Sequence, residues 1–350
     1  MKSVAFIACE EYFNGPSGGG NDIVSDCFCL NKIGFNVKLL VIDLNGVIRN
    51  SDNGEVINPS KILENVIYFS GFLSAERLYK KINPILFINK KIINIKDVHF
   101  FRELRFEMLT GINKNHDSIM KRELLIYQNC DLVLSYNERE SSLLKLLRPN
   151  INIHTNYYFN PNFKPINFFN PIKRLVFVGN FDHYPNLDAI NTFVIESGDF
   201  LLSSGFYLEI FGPGSLEKIN IPEHLNGVII VKGMVNSSID IYRDGGIFLA
   251  PIRFGSGIKI KIIEAALCHL PIIARPEAIE GLPLVHDKSV YLYNNRAELS
   301  LLISKISSSN FRNSLEFLKI SQNAYNSIFA ISNPQNSAQN LRATFKSIGL

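Results

Sequence analysis

Ile247-Phe-Leu-Ala-Pro-Ile-Arg-Phe-Gly-Ser-Gly-Ile-Lys-Ile-Lys-Ile-Ile-Glu-Ala-Ala266 carries three structural signals in one stretch. The apolar run Ile247 to Ala250 is too short for a helix and is closed by Pro251, the pattern of a strand covered on both faces. Gly255 and Gly257 bracket Ser256, so the backbone there can take a positive φ or approach a ligand with no Cβ in the way. A helix follows. Its first N–H groups lack intrahelical partners and together carry about half a positive charge, which stabilises an anion placed there. Lys259 and Lys261 can each add a charge-assisted hydrogen bond of about 1.5–3 kcal/mol to a phosphate oxygen. Glu264 stands three residues after Lys261 on the same helix face, where an ionised carboxylate suits the hydroxyls of a ribose. The stretch thus reads as a site for a diphosphate and its ribose. Spacing alone leaves a second reading open, an exposed Lys261–Glu264 ion pair worth roughly a few tenths of a kcal/mol beside an ordinary loop.

Outward from this stretch, short apolar runs alternate with helical patterns, which predicts parallel sheets with covering helices. Residues 3 to 9 and 36 to 42 read as strands flanking a helix from about 21 to 33, with further strands near 65 to 69, 92 to 95, 131 to 134 and 151 to 154. Between His154 and Lys173 the chain is rich in proline and asparagine without a period, as in an interdomain linker. The pattern then restarts, with strands near 174 to 179, 206 to 211, 228 to 232, 246 to 250 and 271 to 274. Pro185 fits the first turn of one intervening helix, and Ser237 with Asp240 makes a capping-box-like start for another. Leu341, Phe345 and Ile348 recur at helical spacing in the tail. A chain of 350 residues accommodates two domains, expected at 1–160 and 174–330, with a linker at 161–173 and a terminal helix within 331–350.

Pro251 to Ala265, followed by Leu270-Pro-Ile-Ile-Ala274 and Ile279-Glu-Gly-Leu282, resembles the donor-site signature of retaining glycosyltransferases of the GT-B fold, family four. Leu175-Val-Phe-Val-Gly-Asn-Phe-Asp-His-Tyr-Pro-Asn-Leu-Asp-Ala-Ile190 resembles the opening of that family's C-terminal domain, and Leu208-Glu-Ile-Phe-Gly-Pro-Gly214 its second strand and turn. Residues 174–285 are covered well. The first half is covered in patches, at Ser17-Gly-Gly-Gly-Asn-Asp22 through Leu30 to Gly34-Phe-Asn-Val37, Asp97-Val-His-Phe-Phe-Arg-Glu-Leu-Arg105 and Cys130-Asp-Leu-Val-Leu-Ser-Tyr-Asn-Glu-Arg-Glu140.

The resemblance implies two Rossmann-like domains with parallel sheets facing a central cleft, the terminal helix crossing back to the first domain. The first domain would hold a glycan or lipid-linked acceptor and the second a nucleotide sugar, with UDP or GDP as the nucleotide. It implies transfer with retention and without metal, in bacterial surface polysaccharide assembly. It also gives roles: His99 faces the transferred sugar, Arg102 or Arg105 beside Asp97 binds a phosphate or acidic acceptor, and the loop leading to Gly19 and Gly20 lines the cleft. Many members carry two glutamates eight residues apart in the donor segment, the first on the sugar and the second on the ribose. Here Ser256 stands at the first position and only Glu264 remains, so the nucleotide site carries over while the sugar stays open.

The residues themselves support several of these placements. His99 follows the apolar run ending at Ile95, at or just past the C-terminal end of a strand, where doubly wound sheets place ligands. Gly179 and Asn180 end another such strand, with glycine permitting close ligand approach. Arg253 can reach a diphosphate, or brace Asp244 or a backbone carbonyl. Gly15-Pro-Ser-Gly-Gly-Gly-Asn21 follows the first strand but is not Gly-x-Gly-x-x-Gly, which argues against a nicotinamide or flavin cofactor. The departing nucleoside diphosphate would be stabilised by helix N-termini with Lys261, Arg253 and Lys259. Two alternatives remain open: a nucleotide-sugar epimerase of the same fold, and a non-catalytic nucleotide-sugar-binding or membrane-docked scaffold.

Composition narrows the classes further. With 46% hydrophobic and 19% charged residues the chain is globular rather than disordered. It holds no apolar run of about eighteen residues, and its opening reads as a first strand without a cleavage site, so a cytoplasmic protein is expected. The net charge of +4 is too small to argue for nucleic acid. Cys9, Cys27, Cys29, Cys130 and Cys268 read as reduced structural thiols, the histidines lack metal-like spacing, and no Asp-x-Asp occurs. Lys80, Lys81, Lys90, Lys91, Lys96, Arg102 and Arg105 surround Ile85-Leu-Phe-Ile88 and Ile92-Ile93. That stretch is either a solvated helix face with a buried strand or a peripheral contact with anionic membrane.

Overall fold

The computed structural model describes residues 2–13, 18–82, 89–166, 170–235 and 237–350. The chain forms two compact units, the first from Met1–Pro161, Ser256–Ile258 and Ile331–Leu350, the second from Asn162–Gly255 and Lys259–Ala330.

The first unit is built on β1 (Lys2–Cys9), β2 (Phe35–Ile42), β3 (Ile48–Asn50), β4 (Val56–Ile57), β5 (Val66–Ser70), β6 (Lys90–Ile95), β7 (Leu132–Ser135) and β8 (Ile153–Thr155). They form an eight-stranded sheet in the order β4-β3-β2-β1-β5-β6-β7-β8. β3 is antiparallel to β2 and to β4, and the other pairings are parallel. Helices α1 (Gly18–Lys32), α2 (Phe72–Tyr79), α3 (His99–Thr110), α4 (His116–Gln128) and α5 (Glu138–Leu147) accompany the sheet. Successive strand side chains point to opposite faces, so β1 feeds two cores. Ala5, Ile7 and Cys9 join Ile67, Phe69 and Ile93 in one, while Val4, Phe6 and Ala8 join Tyr68, Ile92 and Leu132 in the other. Burial on both faces explains why β1 and β5 read as unbroken apolar runs.

The second unit is built on β9 (Arg174–Val178), β10 (Tyr207–Phe211), β11 (Ile229–Gly233), β12 (Ile247–Ala250), β13 (Ile272–Ala274) and β14 (Tyr291–Leu292). Its helices are α6 (Tyr184–Ser204), α7 (Ser238–Tyr242), α8 (Ile260–Leu267), α9 (Arg296–Ser307), α10 (Ser309–Arg312) and α11 (Leu315–Ile331). The strand order is β11-β10-β9-β12-β13-β14, all parallel. This is the doubly wound arrangement, and its order reverses between β9 and β12, where such sheets open a crevice at the strand C-termini.

The last helix, α12 (Pro334–Ser347), belongs to the first unit. Leu341 and Phe345 enter the core that holds Val4 and Phe6, and Phe345 meets Phe35 edge-on at 5.5 Å between centroids. Ser337 Oγ donates to the Tyr157 carbonyl at 2.7 Å and Asn340 Nδ2 to that of Thr155 at 2.8 Å, which ties the helix to the segment after β8.

Several sequence expectations are corrected. α1 starts at Gly18 rather than near 21. Ser237 is the N-cap residue of α7 but makes no side-chain cap: the Asp240 N–H donates to the Ser237 carbonyl at 3.0 Å, and the Asp240 carboxylate pairs with Arg243 at 2.6 Å. The β3–β4 hairpin and β14 had no signal in the periodicity, being only two or three residues long. Four of the basic residues between 80 and 105 are paired with carboxylates. Lys80 pairs with Glu76, Lys90 with Asp131, Lys96 with Asp22 and Arg102 with Asp97, while Ile92 and Ile93 are fully buried. Ile85–Ile88 of that stretch lie outside the described residues. Among the described residues no helix is long and apolar enough to cross a membrane.

Candidate active site

The expected site residues fall in two groups, one in each unit. In the second unit the loops leaving β9 and β12 meet the start of α8. Lys259 is the N-cap residue of α8, and Lys261 lies in its first turn. The Lys261 ammonium donates to the carbonyl of Val178, the last residue of β9, at 2.6 Å and to Asn186 Oδ1 at 2.7 Å. Its Nζ also lies 4.8 Å from the centre of the Phe177 ring. Burial, with Lys259 adding to it, pushes the Lys261 amine down to about 7.

Glu264, one turn on, is 6% exposed and accepts from the Tyr242 hydroxyl at 3.2 Å. Burial pushes its carboxyl up to about 7, against the opposing effect of the Tyr242 hydrogen bond. The two groups therefore do not form the exposed ion pair that spacing left open: Glu264 is buried against Tyr242 and Lys261 faces β9. A part-buried ammonium held by neutral oxygens is costly without an anion, and a diphosphate would supply the missing charge.

Gly179 and Asn180 follow β9 as expected, but Gly179 is needed for a protein contact. A Cβ there would come within 2.8 Å of the Asn186 side chain, the one that braces Lys261. Asn186 Nδ2 in turn donates to the Asn180 carbonyl at 2.9 Å, so the β9 loop and the α6 start form one scaffold. Arg253 does not brace Asp244. It grips Asp188 with both ends of its fork, Nε at 2.9 Å and Nη2 at 2.6 Å. Gly255 has φ 144°, a conformation that L side chains rarely adopt.

The first unit holds the other group. Asp97 follows β6 and His99 begins α3, as the apolar run ending at Ile95 predicts. Asp97 Oδ2 accepts from Arg102 Nη1 at 2.6 Å, and Asp97 Oδ1 lies 3.4 Å from His99 Nε2. Arg102 also reaches Glu103, with Nε 3.0 Å from Oε1. Arg105 lies one turn further along α3. The tripeptide Ser256–Ile258 belongs to this unit: Ser256 Oγ donates to Asp97 Oδ2 at 3.2 Å, and the Gly257 N–H donates to Glu140 Oε1 at 2.6 Å. Gly257 has φ 65°, and a Cβ there would strike the Lys96 carbonyl. Gly19 and Gly20 lie in the first turn of α1, while Gly15-Pro-Ser17 falls outside the described residues.

Burial would push the His99 imidazole down, but Asp97 and Glu123 outweigh it and hold the imidazole above its ordinary value. The five cysteines are free thiols. No cluster of histidine, cysteine and carboxylate able to hold a metal occurs among the described residues. Sequence reading missed Asn186, Asp188, Tyr242, Glu123 and Glu140. Asn186, Asp188 and Glu140 lay within quoted stretches, but nothing in their spacing pointed to Lys261, Arg253 or Gly257.

Two doubly wound α/β units, the second with a part-buried lysine at a helix start beside its topological switch point, make up a fold of the GT-B class. Residues 172–307 match the family model described as glycosyl transferases group 1. Among solved structures it is similar to sucrose-phosphate synthase from Thermosynechococcus elongatus, with a TM-score of 0.72 and 13% identity, covering 99% of each chain. It is also similar to Anabaena HepE in complex with UDP and glucose, with a TM-score of 0.68 and 10% identity over 99% of this chain and 100% of that one. A third is an S. aureus TarM variant in complex with Fondaparinux, alpha-GlcNAc-glycerol and UDP, with a TM-score of 0.64 and 15% identity over 86% of this chain and 62% of that one. At these identities the likeness is one of fold. No curated protein matches the sequence significantly.

Proposed function

We propose that the protein transfers a sugar from a nucleotide sugar, with UDP as the first choice and GDP as the second, to a glycan or lipid-linked acceptor. In this reading transfer proceeds with retention and without metal, in the cytoplasm, and serves surface polysaccharide assembly. The observation that carries the proposal is Lys261: a part-buried amine at a helix N-terminus and a strand switch point, braced by Asn186 and the Val178 carbonyl. Its ammonium, the α8 N–H groups and Lys259 would stabilise charge developing on the departing diphosphate. The UDP and glucose in the HepE structure support the choice of UDP.

Asp97, His99 and Arg102 would serve the sugar and acceptor side, with Arg105 and the α1 start at Gly19 and Gly20 beside them. Arg253 would act through Asp188, keeping Nη1 for the diphosphate. Incubation with UDP-sugars and GDP-sugars tests the proposal: release of nucleoside diphosphate that requires an acceptor supports transfer. Epimerised donor formed with no acceptor would favour the epimerase instead.

Glu264 is the proposed ribose ligand. Replacing it with alanine removes hydrogen bonds of about 1.5–3 kcal/mol, so the calorimetric Kd for the nucleotide should rise about 10- to 100-fold. An unaltered Kd would remove Glu264 from the ribose site.

A further inference from the structure

Glu123 is a fully buried carboxylate on α4, 0% exposed, and lies outside every stretch that the sequence singled out. Its Oε1 is 2.9 Å from His99 Nδ1 and accepts from the His99 backbone N–H at 3.1 Å and the Tyr127 hydroxyl at 3.0 Å. Its Oε2 accepts from the Phe100 N–H at 3.0 Å. One side chain thus satisfies the first N–H groups of α3, which have no intrahelical partner, and holds the imidazole that begins the same helix. The Phe72 ring packs at 5.4 Å against the imidazole and restricts its rotation.

The two imidazole nitrogens are held unequally. Nδ1 faces a carboxylate that is dry and fixed by three other donors. Nε2 faces Asp97 at the longer distance of 3.4 Å, and Asp97 is already engaged by Arg102 at 2.6 Å. The weaker tie is the one that a substrate oxygen can replace.

We infer that Glu123 is the positioning residue for His99: by accepting from Nδ1–H it fixes the ring orientation and tautomer, so that Nε2 is the nitrogen offered to substrate. This rests on the role proposed for His99 above. Asp97, Arg102 and Glu123 are the charged groups acting on the imidazole. Replacing Glu123 with glutamine removes one of the two carboxylates that raise its pKa and leaves Asp97 and Arg102 in place.

The experiment is histidine 15N NMR of the free full-length protein across pH, with steady-state kinetics alongside. In the wild type the neutral His99 should show the Nδ1–H tautomer. In Glu123→Gln its pKa should fall by about one unit, with kcat down by about 10²-fold, KM for the nucleotide sugar unchanged and the pH profile moved to lower pH. If Glu123→Gln does not fold, the wild-type spectrum still decides, because a neutral Nε2–H tautomer overturns the inference. An inactive His99→Ala together with a Glu123→Gln variant of unchanged His99 pKa and kcat also overturns it. A fully active His99→Ala would instead overturn the reading beneath it, whatever the tautomer.

Discussion

Lys261→Ala is expected to cut turnover by about 10²–10³, the scale of losing one preorganised electrostatic donor at a site of developing charge. The size of the effect follows from where the ammonium lies. A lysine in water would contribute little, but this one is shielded enough for burial to bring its amine down to about 7. Its oxygen neighbours, the Val178 carbonyl and Asn186 Oδ1, hold it without neutralising it. A diphosphate arriving there meets an amine whose position is already fixed, so little reorganisation is needed when the leaving oxygen becomes negative. Lys261→Arg should not restore activity, since a planar guanidinium cannot take the place of a compact ammonium between Val178 and Asn186. Steady-state kinetics with a UDP-sugar checks both variants, and unchanged turnover in Lys261→Ala would remove this residue from the site.

His99→Ala is expected to abolish transfer, with a fall of about 10²-fold or more, while nucleotide binding stays within a few-fold of wild type. The separation arises because His99 belongs to the first unit and the proposed nucleotide ligands to the second. Losing the imidazole also leaves the buried Glu123 carboxylate without one of its donors, so a thermal melt should accompany the assay. If the imidazolium is the working form, activity falls as pH rises through the folded pKa, which lies above the ordinary histidine value. A fully active variant would move the catalytic centre elsewhere.

The strands of both sheets were legible because burial on both faces turns a parallel strand into an apolar run, as in Val4–Ala8 and Ile247–Ala250. The hairpin β3–β4 was not, since pairs and triplets of residues carry no period. The site was legible in part for a similar reason. Lys261 and Glu264 sit on a strand, a glycine turn and a helix that follow one another in the chain, so local spacing sufficed to single them out. Their partners are set by tertiary packing: Asn186 reaches Lys261 across 75 residues, Tyr242 reaches Glu264 across 22, and Glu123 meets the His99 backbone across 24. Glu123 stood among Lys121, Arg122 and Leu124 as one more charged residue of an amphipathic helix, and only the fold shows that it points inward. Ser237 failed in the opposite direction: in a five-residue helix with an Asp240–Arg243 pair the local side-chain capping pattern goes unused.

A diphosphate bound at the start of α8 should draw a full positive charge onto the Lys261 amine. Calorimetric titration of a UDP-sugar at pH 8, in two buffers of different ionisation enthalpy, measures this directly. With the free amine near 7 and Glu264 near 7, the first is mostly uncharged and the second already ionised at that pH. Binding should therefore take up close to one proton in the wild type and almost none in Lys261→Ala. Binding without proton uptake in the wild type, or the same uptake in Lys261→Ala, would contradict it.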